Sequence, residues 1–263
     1  MNDDLGDRMK SYEGIECDRI LIPRLPIYAR LDGKCFSSFT RNMKRPYDEN
    51  MTQAMVKTTK YLVEETHAIM GYTQSDEISL AWYHPKPKTE SWMGGKFHKL
   101  HSVLAALATA KFNFEMSAYI EGEKYPVFDC RVFNLPTPDE VANAFLWREL
   151  DATKNAISMA ASHYFSPRQL HGKDGKQKQE MLFKEHQINF NDYPPFFKRG
   201  TFVKRVVEER ELTAEELERN PEQHRTTKKV VRKKIVEMDM PTFLSVTNRV
   251  GVIFNGEEPN VSA

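Results

Sequence analysis

The order of structural signals in the first half of the chain constrains its fold more than any other feature. Apolar periodicity and turn residues define five segments there. These are a strand at 27–32, a helix from about 48 to 69, a hairpin at 67–83, a helix through 100–107 and a strand at 125–135. Strand, helix, hairpin, helix, strand is the ferredoxin-like βαββαβ pattern. It predicts an α+β fold in which an antiparallel sheet carries its helices on one face.

The second half of the chain predicts helices followed by a hairpin. Thr137-Pro-Asp-Glu140 has the form of a capping box, so a long helix is expected from there to about Tyr164. A further helix is expected from about Lys176 to His186. The tail predicts strands at 201–207 and 229–236, joined by an acidic segment that includes a short helix. We therefore expect a catalytic core at 1–136 and, packed on it, a helical and β-hairpin region at 137–263.

Acidic residues lie at two places where a predicted strand meets a turn. Asp32 ends the first strand just before Gly33, and Asp76 and Glu77 lie at the hairpin tip. Pairing of the two strands brings Asp32 near Asp76. Magnesium prefers oxygen ligands, and two carboxylates with a glycine carbonyl can hold it against substrate phosphates. The alternative is that these aspartates only cap local turns, and spacing alone does not decide between the two.

Composition indicates a soluble globular protein without a zinc site. The chain has 263 residues and a formal net charge of +1. Its cysteines, Cys17, Cys35 and Cys130, lack metal-ligand spacing and suit a reducing compartment. No apolar run approaches the ~20 residues that cross a bilayer. We expect a cytoplasmic location and no membrane partner.

Basic residues are clustered although the net charge is close to zero. Two interpretations of the clusters stay open, an RNA-binding face and a solvated surface. The clusters lie at 173–178, 198–199, 204–205 and 228–234. For Trp147, on the long helix, packing in the core is favoured over stacking on a base.

Several short motifs, in collinear order over about residues 20–205, resemble those of the tRNA-His guanylyltransferase family. These enzymes add nucleotides in the 3′-to-5′ direction. The motifs are Arg30-Leu-Asp-Gly-Lys-Cys-Phe-Ser-Ser-Phe-Thr40, Arg45-Pro-Tyr-Asp48, Gly71-Tyr-Thr-Gln-Ser-Asp-Glu77, Lys99-Leu-His-Ser102, Phe128-Asp-Cys-Arg131, Trp147-Arg-Glu-Leu-Asp151, Phe183-Lys-Glu-His-Gln-Ile-Asn-Phe-Asn191 and Arg199-Gly200.

The resemblance implies a polymerase-like palm domain and a set of site residues. Asp32, the Gly33 carbonyl and Asp76 would bind two Mg²⁺ ions, with Glu77 as a third catalytic acid beside them. Nucleotide-binding residues would be Asp32, Gly33, Lys34, Cys35, Phe36, Ser37, Ser75, Asp76, Lys96 and Lys99. RNA-binding residues would be Arg131, Asn155, Lys198 and Arg199. GTP and ATP are the implied substrates, tRNA the implied partner, and a homo-tetramer the implied assembly.

One departure from the family pattern changes the reaction that we expect the protein to catalyse. Where the guanylyltransferases proper read His-Ile-Asn-Asn-Leu-Tyr-Asn, this chain reads Thr153-Lys-Asn-Ala-Ile-Ser-Met159, and only Asn155 clearly survives. That motif goes with selection of tRNA-His. The chain is therefore more similar to the guanylyltransferase-like branch, whose members repair truncated tRNA 5′ ends by templated addition. Alternatives are guanosine addition to tRNA-His, a palm-type nucleotide cyclase and a non-catalytic RNA-binding protein.

Overall fold

One antiparallel sheet organises the chain. The computed structural model describes residues 4–86, 89–120, 125–219 and 229–261. The strands are β1 Ile27–Lys34, β2 Met70–Gln74, β3 Glu77–Trp82, β4 Val127–Asn134, β5 Thr201–Glu211 and β6 Lys229–Met238. They lie in the order β4-β1-β3-β2-β5-β6, and every described pairing is antiparallel. The order β4-β1-β3-β2 is the one that a βαββαβ unit produces.

Among the described residues, the five predicted helices occur in the predicted order, and four further helices, at 4–17, 36–39, 167–170 and 195–199, were not predicted. They are α1 Asp4–Cys17, α2 Phe36–Phe39, α3 Glu49–Glu65, α4 Phe97–Glu115, α5 Pro138–Tyr164, α6 Pro167–Leu170, α7 Gly175–His186, α8 Pro195–Arg199 and α9 Ala214–Arg219. Asp48 caps α3 by accepting the Met51 N–H at 3.0 Å. We expected this helix to end near Ile69, which was wrong. It stops at Glu65 because His67 adopts a left-handed conformation with φ of 58°, which a continuing helix excludes.

Helices cover both faces of the sheet, so the expectation of helices on one face was incomplete. On β1, Ile27, Ala29 and Leu31 pack in one core with α3 and α4. Tyr28 points the other way, into a second core with α5 and the C-terminal segment. This follows from the two-residue alternation of a strand. The same alternation places Arg30 and Asp32 on the α5 face.

The C-terminal strands extend the same sheet. β5 pairs with β2 on one side and with β6 on the other, and both strands are longer than predicted. The basic cluster at 228–234 lies on β6, except that residue 228 is outside the described residues. In the cluster at 204–205, Lys204 is buried and its ammonium donates to the Val252 carbonyl. Lys204 therefore belongs to the packing of the C-terminal segment and not to a basic surface.

Candidate active site

Asp32 and Asp76 meet at one end of the sheet. Asp32 lies opposite Glu77 in the β1–β3 register, and the Gly33 N–H donates to the Asp76 carbonyl at 3.1 Å. Asp76 follows Ser75, whose φ of 53° makes the tight turn between β2 and β3. Burial raises the pKa of Asp76, and the nearby Asp32 charge raises it further. Two carboxylates that repel one another in this way form a local excess of negative charge suited to a cation.

Arginine partly balances Asp32 from the neighbouring strand. Arg131 on β4 lies with Nη1 3.8 Å from an Asp32 oxygen and Nη2 3.6 Å from Asp129. All three side chains are about half exposed, so these pairs are weak and open to exchange. Arg131 therefore stands at the carboxylates themselves, where it can also contact a phosphate.

Glu77 has a different environment from Asp76, its neighbour in sequence. Its carboxylate accepts from Arg148 Nε at 2.5 Å, and Arg30 Nε lies 3.9 Å away. Arg148 in turn donates to Asp151 at 3.0 Å. Burial raises the pKa of Glu77, although Arg148 and Arg30 act in the opposite direction. Glu77 thus ties β3 to α5.

A cleft of about 930 Å³ lies between the acidic end of the sheet and α5. Its lining brings together the acids and polar groups of one face of α5. The lining residues are Arg30, Asp32, Arg45, Pro46, Gln74, Ser75, Asp76, Glu77, Trp147, Arg148, Asp151, Asn155, Ser158, Met159, Ser162 and His163. Sequence reasoning did not select Arg30, Arg148 or Asp151. The available signals were that Arg30 shares a strand face with Asp32, and that Arg148 and Asp151 are one helical turn apart.

Trp147 lies in this cleft and is 52% exposed, so the expectation of core packing was wrong. The buried stripe of α5 includes Phe145, Arg148, Glu149 and Ala152. Because each helical residue turns the side chain by about 100°, Trp147 points away from that stripe.

The segment 32–37, which is predicted to bind the triphosphate, contains a glycine, Gly33, that no other residue can replace without movement. A Cβ on Gly33 would approach the Phe36 ring to 2.3 Å. Phe36 is buried against Phe39, Phe112 and Phe128, so its side chain fixes the loop and only its backbone is available to a ligand.

The rest of this loop is open to solvent. Cys35 has a left-handed φ of 59°, and Lys34, Cys35 and Ser37 are exposed. The segment can thus offer backbone N–H groups and one ammonium to phosphate.

The remaining predicted residues divide into those in the cleft and those outside it. Ser75 and Asn155 line the cleft, and the Asn155 amide lies 3.5 Å from Asp151. Lys96 and Lys99 are exposed at the start of α4 but do not line it.

Lys198 and Arg199 also lie outside the cleft and have partners of their own. The Lys198 ammonium donates to the Asn191 carbonyl, and Arg199 donates to Thr242 at 2.9 Å. The structure therefore does not bring these two together with the acids.

The donor set at the carboxylates fits a magnesium ion. Gly33 directly follows Asp32, and its N–H donates to the Asp76 carbonyl, so the Gly33 backbone lies beside both acids. Two carboxylates and a carbonyl are an all-oxygen set that leaves positions for water and phosphate. Within the described ranges, no cluster of three or more His, Cys, Asp or Glu side chains could hold a metal by itself. A metal here would complete its coordination with oxygens of the substrate.

Comparisons with known proteins agree on one family. Residues 6–136 match the family model described as tRNAHis guanylyltransferase, and residues 139–242 match that of the Thg1 C terminal domain. A curated relative, the tRNA(His) guanylyltransferase of Saccharomyces cerevisiae, is 28% identical over 73% of this chain and 88% of its own length. None of the described helices is both long and apolar enough to span a membrane.

Two solved structures share the fold. A bacterial tRNA(His) guanylyltransferase (Thg1)-like protein in complex with ATP superposes with a TM-score of 0.73 and 40% identity, over 77% of this chain and 87% of that one. A bacterial Thg1-like protein in complex with GTP gives a TM-score of 0.72 and 33% identity, over 92% and 94%. The chain therefore belongs to the tRNAHis guanylyltransferase family and is a nucleotidyltransferase.

Proposed function

We propose that this protein is a magnesium-dependent nucleotidyltransferase that repairs truncated tRNA 5′ ends by templated addition in the 3′-to-5′ direction. The observation that carries the proposal is the convergence of Asp32 and Asp76 at an open cleft. Solved relatives described as bound to ATP and GTP support a triphosphate substrate. The sheet order β4-β1-β3-β2 supports a palm-like core, in which such acids stand at a strand end and a hairpin tip.

The chemistry assigns separate roles to the residues of the cleft. Asp32, Asp76 and the Gly33 carbonyl hold the metal, which when bound supplies charge neutralisation of the triphosphate and acidification of a hydroxyl. The backbone of the Gly33–Ser37 loop orients the triphosphate. Arg131 binds a phosphate of the RNA 5′ end next to Asp32. Glu77 is held by Arg148 and Arg30, so we assign it the positioning of these two arginines rather than a contact with metal.

Templated repair is favoured over dedicated guanosine addition by the wall of the cleft. The α5 segment 153–159, which differs from the guanylyltransferase motif, supplies Asn155, Ser158 and Met159 to this wall. A residue change inside the cleft can alter substrate selection directly. Guanosine addition to tRNA-His is retained as the second candidate because the matched family model carries that description.

The test is nucleotide incorporation into tRNA transcripts that lack one 5′ nucleotide. Each transcript carries one of the four bases opposite the gap and is incubated with Mg²⁺ and each triphosphate in turn. We expect incorporation of the nucleotide complementary to the opposing base. Incorporation of guanosine alone, whatever the opposing base, would support the second candidate. Failure to label any RNA, together with a cyclic product from ATP or GTP, would contradict both.

A further inference from the structure

The Trp147 indole lies in the cleft and is 52% exposed. The guanidinium carbons of Arg148 and Arg30 lie 4.4 Å and 5.5 Å from the ring centroid. Both guanidinium groups also converge on the one carboxylate of Glu77, at 2.5 Å and 3.9 Å. Because both groups contact one carboxylate on β3, we take them to cover the side of the ring toward the sheet and assign the exposure of Trp147 to its opposite face.

We propose that this exposed face is a stacking platform for the base of the 5′-terminal nucleotide of the RNA. The proposal rests on the proposed function, because it assumes an RNA end at the acidic cleft. Every base has a π face, so stacking on an aromatic side chain tolerates any base. A templated enzyme must hold RNA ends of any sequence, and an aromatic ring does so because it binds the base without base-specific hydrogen bonds.

The ring is held ready for this contact. Trp147 is carried by the 27-residue helix α5, whose neighbouring positions Arg148 and Glu149 are both buried. The two guanidinium groups support its inner face by cation–π contact. A platform fixed before binding loses less conformational entropy than a mobile side chain does.

The position of Trp147 indicates that its ring stacks on a base of the RNA and not on the base of the incoming nucleotide. A second, more apolar cavity adjoins the cleft and is lined by Thr40, Met43, Ser75 and Met159, among others. Its lining begins at Thr40, three residues after the Gly33–Ser37 loop, so we assign the base of a triphosphate bound on that loop to this cavity. At 1.5 Å per residue, about 18 Å of α5 separate Met159 from Trp147, which is too far for the same nucleotide.

The charge beside Trp147 also fits an RNA strand. Arg30, which contacts the ring, lies directly opposite Arg131 in the β1–β4 register. Arg131 is half exposed and can neutralise a phosphate. A terminal nucleotide with its phosphate at Arg131 and the carboxylates has Trp147 within reach of its base.

The experiment measures binding of an acceptor-stem duplex that lacks one 5′ nucleotide, and of the same duplex with an abasic residue at its new 5′ end. Trp147→Leu keeps an apolar side chain but removes the ring, and Trp147→Phe keeps a ring. We expect Trp147→Leu to weaken binding of the intact duplex by roughly 5- to 150-fold and Trp147→Phe to restore most of it. The abasic duplex should bind wild type and Trp147→Leu equally.

A matched control is Phe114→Ala. Phe114 is a 71% exposed aromatic residue on α4 with the Lys111 ammonium 5.1 Å from its ring centroid, and it should have no effect on RNA binding. Equal weakening of intact and abasic duplexes by Trp147→Leu would overturn the platform. So would weaker binding of ATP or GTP alone with unchanged RNA binding, which would assign the ring to the incoming base. Absence of nucleotide addition by wild type would reject the proposed function but leave this binding test valid.

Discussion

The acids that face the cleft and the acids that anchor α5 have the same chemistry and different partners. Among the described residues, Asp32 forms one weak ion pair, with Arg131 at 3.8 Å, and Asp76 is hydrogen-bonded to the Ser75 side chain. Glu77 and Glu149 are largely buried, and each joins α5 to another part of the fold, Glu77 through Arg148 and Glu149 through the Phe243 N–H at 2.8 Å. The comparison teaches that an acid held by a weak, exposed ion pair or a neutral hydroxyl, next to a second acid, can take a cation, whereas an acid held by a buried arginine or a backbone N–H joins two parts of the fold.

The largest expected effect is on the cleft-facing pair. Asp32→Asn and Asp76→Asn keep the shape of the side chain but remove the negative charge to which we assign magnesium binding. We expect nucleotide addition to fall by roughly a thousandfold or more, because a metal supplies several kcal/mol of transition-state stabilisation. Thermal unfolding should show that the variants remain folded.

Asp129 is a control that distinguishes the role of Asp32 from the effect of negative charge alone. Asp129 lies opposite Asp32 on β4 and is about half exposed, with Arg131 3.6 Å away. Asp129→Asn should change activity little, since its charge is solvent-screened. If Asp129→Asn reduced nucleotide addition as much as Asp32→Asn, activity would depend on the total negative charge at this end of the sheet. The assignment of the metal site to Asp32 and Asp76 would then be wrong.

The second prediction concerns the Arg148–Glu77 ion pair, which joins α5 to β3. Arg148→Met leaves Glu77, whose side chain is 15% exposed, with only Arg30 at 3.9 Å. We expect the free energy of unfolding to fall by about 3 kcal/mol, because a mostly buried charge loses its partner. Adding Glu77→Gln should recover much of that loss. Denaturant unfolding of the single and double variants measures both effects.

The control for this prediction is the Lys184–Glu180 pair on α7. It has a short distance of 2.6 Å, but its side chains are 69% and 60% exposed. Lys184→Met should leave the unfolding free energy unchanged within error, because solvent screens such pairs. An equal loss from Lys184→Met would mean that burial does not distinguish the anchoring acids from surface ones.

Much of the core of the fold was accessible from periodicity. The structure confirms three predictions that depend on neighbouring residues alone: the alternation at 27–32, the Asp48 cap and the Thr137 cap. At the Thr137 cap, the Glu140 N–H donates to the threonine hydroxyl at 3.3 Å. Local rules of this kind need no knowledge of the rest of the chain. The same rules led to the approach of Asp32 to Asp76, since a hairpin and a neighbouring strand define it.

The part that could not be predicted depends on contacts between distant segments. The Arg148–Glu77 pair joins residues 71 positions apart, and the Phe243–Glu149 contact joins residues 94 apart. Only the packing of α5 on the second face of the sheet creates them. Trp147 was misassigned because a large aromatic residue suggests a core, whereas its phase on α5, set by the Phe145 and Arg148 stripe, points it to the cleft.

The third prediction concerns the pH dependence of Glu149, the second acid that joins α5 to the rest of the fold. Burial raises the pKa of Glu149 to about 7 from its ordinary 4.5, although the Phe243 N–H and Arg199 act against this. Between these two values the folded state binds a proton that the unfolded state has lost. Stability therefore falls as pH rises from about 4.5 to about 7 and then levels off, by about 3 kcal/mol at most from this group.

Glu149→Gln isolates this contribution. The amide oxygen can still accept the Phe243 N–H, but it does not titrate, so the variant should gain stability over wild type as pH rises from 5 to 8. Glu180→Gln is the control, because the Lys184 ammonium lowers the pKa of the exposed Glu180 and its titration lies below this window. Unfolding curves at each pH test the sign directly. A variant that tracks wild type across the window would show that Glu149 is ionised in the fold at no cost, and the contrast between anchoring and cleft-facing acids would then rest on Glu77 alone.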